Sequence, residues 1–205
     1  MQTVVQFFAP GVEQADSSRV PLRLLNTILG GSFTSRLNQN LREKNGYTYG
    51  ARSGFASGRT VGTFTAGASV TTKVTGPALR EFLAEFARLK TGDISPPEVG
   101  KAQGFERQRL VQRFADGAGI VGEVADLVDN GALFESLASD TAAADKASAD
   151  GLNGAARAFP WASDGVLVLV GDRATIVEQT KDLGLPPLEF VDAYGNPLKA
   201  VAPEK

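Results

Sequence analysis

Arg42 and Tyr49 stand seven residues apart, with Gly46 between them, in the stretch LGGSFTSRLNQNLREKNGYTYG that runs from Leu29 to Gly50. A guanidinium stays protonated at any working pH and presents a planar fork of donors. A phenol with a pKa near ~10 is a neutral donor. Together they could grip carbonyl or oxyanion oxygens. They could not cleave a bond unaided, and the chain contains no histidine and no cysteine. That removes a Ser-His-Asp relay, a thiolate nucleophile, disulfides and the usual zinc ligand sets. The pattern suits a binding half better than a complete enzyme.

Other chemistry-bearing patterns are weaker. Glu81 and Glu85, four apart, have the spacing of a helix surface. Gly117, Gly119 and Gly122 spell GxGxxG, but Arg113 to Asp116 before them read as helix and not as the strand a dinucleotide site needs. Arg36, Arg42, Lys44, Arg52 and Arg59 face one acid, Glu43, between residues 36 and 59. Such an excess could steer acidic peptides, although a solvated face is the commoner meaning. Arg36 has a further reading as an internal brace.

The elements that must position Arg42 and Tyr49 follow from periodicity. Thr3 to Phe8 is a β-branched and aromatic run ended by Pro10-Gly11, hence a strand. Leu22, Leu25, Ile28 and Leu29 recur at helical spacing, with Gly30-Gly31 as a left-handed stop. Ser32 reads as the N-cap of a second helix carrying Phe33, Leu37 and Leu41, ending near Lys44 and broken by Gly46. From Tyr47 the period becomes two, and a second run, Thr60 to Val70, makes a hairpin.

A helix opens at Gly76-Pro77 and closes at Thr91-Gly92. Another runs from Pro96-Pro97 to about Phe114, with Arg107, Arg109 and Arg113 on its solvated side. Residues 118–157 read as short helices. Val166 to Val170 reads as a buried strand, followed by a helix through Ile176 to Leu183 and a further strand candidate at Leu188 to Val191. The order implies one α+β domain over residues 1–205, an antiparallel or mixed sheet with helices packed on one face.

A formal charge of −2 argues against a general nucleic-acid binder. No run approaches the ~20 apolar residues that span a bilayer, so the chain reads as soluble without a membrane span.

The motif LGG-x-F-x-SRL-x4-LRE-x2-G-x2-Y resembles the histidine-lacking half of the pitrilysin/insulinase zinc metallopeptidases, which include the mitochondrial processing peptidase and bacterial two-subunit peptidases. The resemblance implies the metallohydrolase-type α+β fold. It also implies an inactive half that works with a homologous subunit or domain bearing His-x-x-Glu-His and the zinc, with no cofactor in this chain. Arg42 and Tyr49 match the family's arginine and tyrosine, so Arg42 would hold a peptide carbonyl and Tyr49 would donate to the carbonyl oxygen as it becomes tetrahedral. Gly30 and Gly31 occupy the place of a longer glycine-rich loop. With Ser32, Phe33 and Tyr47 they form the implied substrate-binding set, Tyr47 also being open to plain packing. A bacterial periplasm or cytoplasm and a homodimer when isolated are compatible with the resemblance.

Two rivals stand beside that expectation. A catalytically silent scaffold or assembly subunit of the same fold would pair stably without turnover. An unrelated α+β peptide-binding module would bind away from Arg42 and Tyr49.

Overall fold

Strict alternation makes the first strand, β1 (Gln2–Pro10). Thr3, Val5, Phe7 and Ala9 are buried, while Val4 and Phe8 face outward. The computed structural model describes residues 1–161 and 164–198. β1 pairs antiparallel with β3 (Gly62–Thr71) on one side and β4 (Val166–Val170) on the other. β3 pairs antiparallel with β2 (Thr48–Ser57), giving the sheet order β2-β3-β1-β4.

The helices are α1 (Arg19–Asn26), α2 (Thr75–Thr91), α3 (Pro96–Arg113), α4 (Gly117–Asp129), α5 (Glu135–Lys146), α6 (Ala149–Ala158) and α7 (Arg173–Thr180). α2 lays Phe82 and Phe86 on the inner face of the sheet, with ring centroids 5.4 and 5.1 Å from Phe7. A second aromatic group, Phe55, Phe64, Phe159 and Trp161, packs edge to face or tilted under β2 and β3. Trp161 is the one non-glycine residue with positive φ among the described residues, and its indole N–H donates to the Ala156 carbonyl at 2.8 Å. Burial of that large ring against four phenylalanines holds the unusual backbone in place.

The expected α+β architecture is observed, with several local differences. Gly30 and Gly31 are not left-handed. The chain passes instead from α1 into a π-helical turn, Thr27–Gly31, and leaves it through an extended Ser32. Ser32 does not cap the next helix, which begins after Ser35, whose carbonyl accepts the first helical bond from Gln39 N–H at 2.9 Å. β4 is an edge strand with Val166, Val168 and Val170 exposed, not a buried one. An apolar run carries no sign of which neighbour is missing. Arg107 and Arg109 are exposed, but Arg113 bonds the buried Glu123 of α4. Leu188 to Val191 forms no strand beyond an isolated bridge, Val191 to Pro197. The glycines of GxGxxG lie in the first turns of α4, behind an Asp116 cap that accepts from Gly119 N–H.

Candidate functional site

The segment carrying Arg42 is held under β2 by close backbone approach. Gly30 is buried, and a Cβ there would sit 2.5 Å from the Ser53 backbone nitrogen. Only glycine lets the π turn lie this near the strand, a contact sealed by Ser53 Oγ donating to Asn26 Oδ1 at 2.7 Å. Gly30→Ala is therefore expected to cost about 1–3 kcal/mol by overpacking, read as a lowered urea midpoint at unchanged m-value.

Beyond Ser35 the chain forms a second π-helical segment, Asn38–Lys44, with Leu37 and Leu41 fully buried. Wide helical turns of this kind are frequent at functional sites. Three polar anchors fix it. Asn40 donates to Glu81 and Glu85 of α2 at 2.7 and 2.8 Å, which gives that carboxylate pair a structural use. Asn38 donates to the Ser32 carbonyl at 3.2 Å and accepts from Ala51 N–H at 2.9 Å, tying the segment to β2. Arg36, buried, bonds Glu98 at 2.7 and 3.0 Å and also Asp93, so it is the internal brace and not part of a cationic surface.

Burial works to raise the Glu98 carboxyl, but the Arg36 guanidinium and the Ser95 N–H and hydroxyl outweigh it. They bring it from 4.5 down to about 2. The same residue caps α3, accepting from Ser95 N–H at 2.9 Å. A carboxyl depressed in the folded state contributes stability that is complete above its unfolded pKa and lost as pH falls through the folded one. Thermal midpoints of the wild type are thus expected to fall between about pH 4.5 and about 2. Those of Glu98→Gln should start lower and fall less over the same window.

Arg42 ends the π segment. Its guanidinium lies 4.3 Å from the centroid of the Phe33 ring, with a long 3.6 Å ion pair to Glu43. Gly46, at φ +63°, turns the chain, and Tyr47 N–H donates to the Leu41 carbonyl at 2.8 Å to launch β2. Register then slips by one between Thr48 opposite Val70 and Ala51 opposite Ala68, a β-bulge holding Tyr49 and Gly50. Thr48 Oγ1 closes it, donating to the Ser69 carbonyl at 2.7 Å and accepting from Gly50 N–H at 3.2 Å. The bulge turns Tyr49 outward, leaving it 92% exposed.

The sequence-predicted set divides accordingly. Phe33, 69% exposed, joins Arg42, and Tyr49 stands at the bulge a short turn away in the chain. Gly30 is a packing position, corrected from a substrate contact because β2 covers it. Tyr47 is half-buried against the core, which matches its packing alternative. Gly31 is partly covered, and Ser32 lines a cavity of about 400 Å³ with Thr34, Lys44, Arg88 and Lys101, a space neither Arg42 nor Tyr49 borders. Sequence reasoning missed Asn38 and Asn40. Three consecutive amides, Asn38 to Asn40, ahead of the Leu-Arg-Glu-Lys run were the available signal.

On the sheet's open face, cross-strand register sets side chains in rows. Val4 of β1 lies between Ser69 and Val170, Gln6 between Gly67 and Val168, and Phe8 between Thr65 and Val166. Across β3 these rows continue to the bulge at Tyr49, then Arg52 and Gly54 on β2.

Among the described residues no three His, Cys, Asp or Glu side chains come together as a metal-ion site, and with neither histidine nor cysteine the chain does not fit a peptidase zinc. Nor is any helix among them long and apolar enough to cross a membrane.

The fold is an α+β domain with no cluster of metal-binding side chains among the described residues. The family model described as the peptidase M16 inactive domain matches residues 1–104, and the chain belongs to that family. Among solved structures, a peptidase M16 inactive domain from Pseudomonas fluorescens is 25% identical with a TM-score of 0.73, covering 82% of this chain and 40% of that one. The inactive peptidase domain from Bordetella parapertussis is 18% identical with a TM-score of 0.71, covering 83% and 92%. A chain of complex III2 from Candida albicans is 16% identical with a TM-score of 0.72, covering 87% and 44%. This chain thus spans about two fifths of the Pseudomonas chain it resembles. No curated protein matches it.

Proposed function

We propose that this chain is the noncatalytic half of a zinc metalloendopeptidase, binding peptide and presenting Arg42 and Tyr49 to a bond cleaved at a His-x-x-Glu-His site on a homologous partner. The observation that carries the reading is the outward-turned Tyr49, held at a bulge by Asn38, Thr48 and Ala51, together with an Arg42 seven residues earlier that among the described residues meets only the Phe33 ring and a 3.6 Å acid. Both groups are donors kept off strong internal acceptors, as oxyanion binding requires. Arg42 holds a substrate carbonyl in place. The Tyr49 hydroxyl donates to the same or a neighbouring oxygen as negative charge develops there.

The family assignment and the absence of zinc-type ligands here support a division of labour between two halves. Mixing this chain with a His-x-x-Glu-His subunit from the same cells is expected to yield peptidase activity that neither shows alone. A stable complex with bound zinc and no turnover would replace the reading with that of a scaffold subunit.

A further inference from the structure

The cavity of about 400 Å³ beside Ser32 is lined by both π-helical segments, by α2 and by α3, and its volume is that of a small-ligand site. Ile28 and Ala102, both buried, give it an apolar wall. Phe105 extends that wall, four residues beyond Lys101 on the same helix face. The charged lining is Arg36, Lys44, Arg88 and Lys101 against Glu85 and Glu98.

The acids are already engaged. Glu98 accepts from Arg36 and Ser95, and Glu85 accepts from Arg88 and Asn40. Asp93 takes a further bond from each arginine, and Asn40 gives a second bond to Glu81. Both guanidinium forks are thus committed to carboxylates of the chain itself. Lys44 and Lys101 are left over, for neither forms an ion pair among the described residues. Lys101 Nζ donates to the Thr34 carbonyl at 3.0 Å, which holds the ammonium against the loop lining the same space and leaves two of its N–H groups free.

An apolar wall alone would select a neutral ligand. Two ammoniums beside it select an anion with an apolar body. The planar forks that grip phosphate bidentately are occupied, whereas two point charges match the two oxygens of a carboxylate. We propose that this cavity binds a carboxylate borne on a short apolar body, the chemistry shared by the C-terminal residue of a peptide and a free aliphatic acid. Lys44 and Lys101 face the carboxylate, and Ile28, Ala102 and Phe105 face the apolar part. Neither Arg42 nor Tyr49 lines the space, so the inference does not depend on their proposed role.

The test is calorimetric titration of the full chain with hexanoate and with the N-acetylated peptide Gly-Ser-Gly-Leu bearing a free C-terminus. Binding of hexanoate alone assigns the site to a free acid, and binding of the peptide assigns it to a chain terminus; either supports the proposal. The corresponding amides, acetate and inorganic phosphate should each bind at least about tenfold more weakly, since each lacks the charge, the apolar body or the shape. Lys44→Gln with Lys101→Gln should weaken the carboxylates by about tenfold or more, and Phe105→Ala by several-fold, with the thermal midpoint nearly unchanged. Backbone amide shifts on titration are expected in residues 27–44 and 98–105. Failure of both acids to bind, equal binding of acid and amide, equal binding of phosphate, or full affinity in the folded double lysine variant would overturn the proposal.

Discussion

Arg42→Ala and Tyr49→Phe are each expected to lower kcat/KM of the assembled peptidase by about 100-fold or more, the scale of removing one oxyanion donor. In free energy that is about 2.7 kcal/mol of transition-state stabilisation. Folding should be nearly untouched. The Tyr49 ring is 92% exposed and its hydroxyl makes no hydrogen bond among the described residues. Arg42→Ala removes a stacking contact with Phe33 worth about 0.5–1 kcal/mol. The kinetic constants should divide differently for the two. A donor engaged only as the carbonyl becomes tetrahedral affects kcat and kcat/KM equally, which is the expectation for Tyr49→Phe. A group that already holds a ground-state carbonyl also raises KM when removed, the expectation for Arg42→Ala. Wild-type turnover in both variants, with pairing verified by sedimentation, would exclude the proposed role and favour a scaffold.

Much of this site was legible in the sequence because its signals are local. The seven-residue interval between Arg42 and Tyr49, the Gly46 turn and the change of period at Tyr47 all act within a few residues. They predict helix, turn and strand in the order observed. What escaped depends on distant partners. Gly30 looks like an ordinary helix stop until β2 is laid across it, and the near contact with Ser53 then explains both the glycine and the π turn.

Arg36 has the same character. Its cation counts towards a basic stretch in the sequence, yet Asp93 and Glu98, some sixty residues later, bury and neutralise it. The bulge that aims Tyr49 requires knowing that Thr48 pairs with Val70, a long-range register no run of residues reveals. The run VLVLV shows the same limit from the other side. Its composition specifies a strand, while the exposure of its valines follows from the sheet face they share with Val4 and Phe8, which lacks cover among the described residues.

The largest stability effect is expected from Phe64→Ala, at about 3–5 kcal/mol. Phe64 is fully buried on β3, opposite Phe55 in the hairpin, and its ring meets Phe55, Phe86, Phe159 and Trp161 at centroid distances of 4.8, 6.1, 5.7 and 5.4 Å. With Trp161, which meets Phe55 and Phe86 at 6.3 Å each, it joins β2, α2 and the segment after α6. Its removal opens a cavity whose walls belong to three separate elements, so inward collapse would have to move all of them. Domains commonly have about 5–15 kcal/mol in total, and the variant would lose a large share of it. For a chain of this size the thermal midpoint should fall by about 10 °C or more.

Phe64→Leu keeps most of the volume and should cost about 1–2 kcal/mol. The contrast separates cavity formation from loss of aromatic geometry. If Phe64 acts only through stability, the alanine variant measured well below its midpoint retains turnover in the assembled peptidase. The outward aim of Tyr49 depends on the Thr48, Asn38 and Ala51 hydrogen bonds and not on the aromatic group beneath. A hundredfold loss at low temperature in a folded Phe64→Ala chain would mean that the floor under β2 also sets the tyrosine's position.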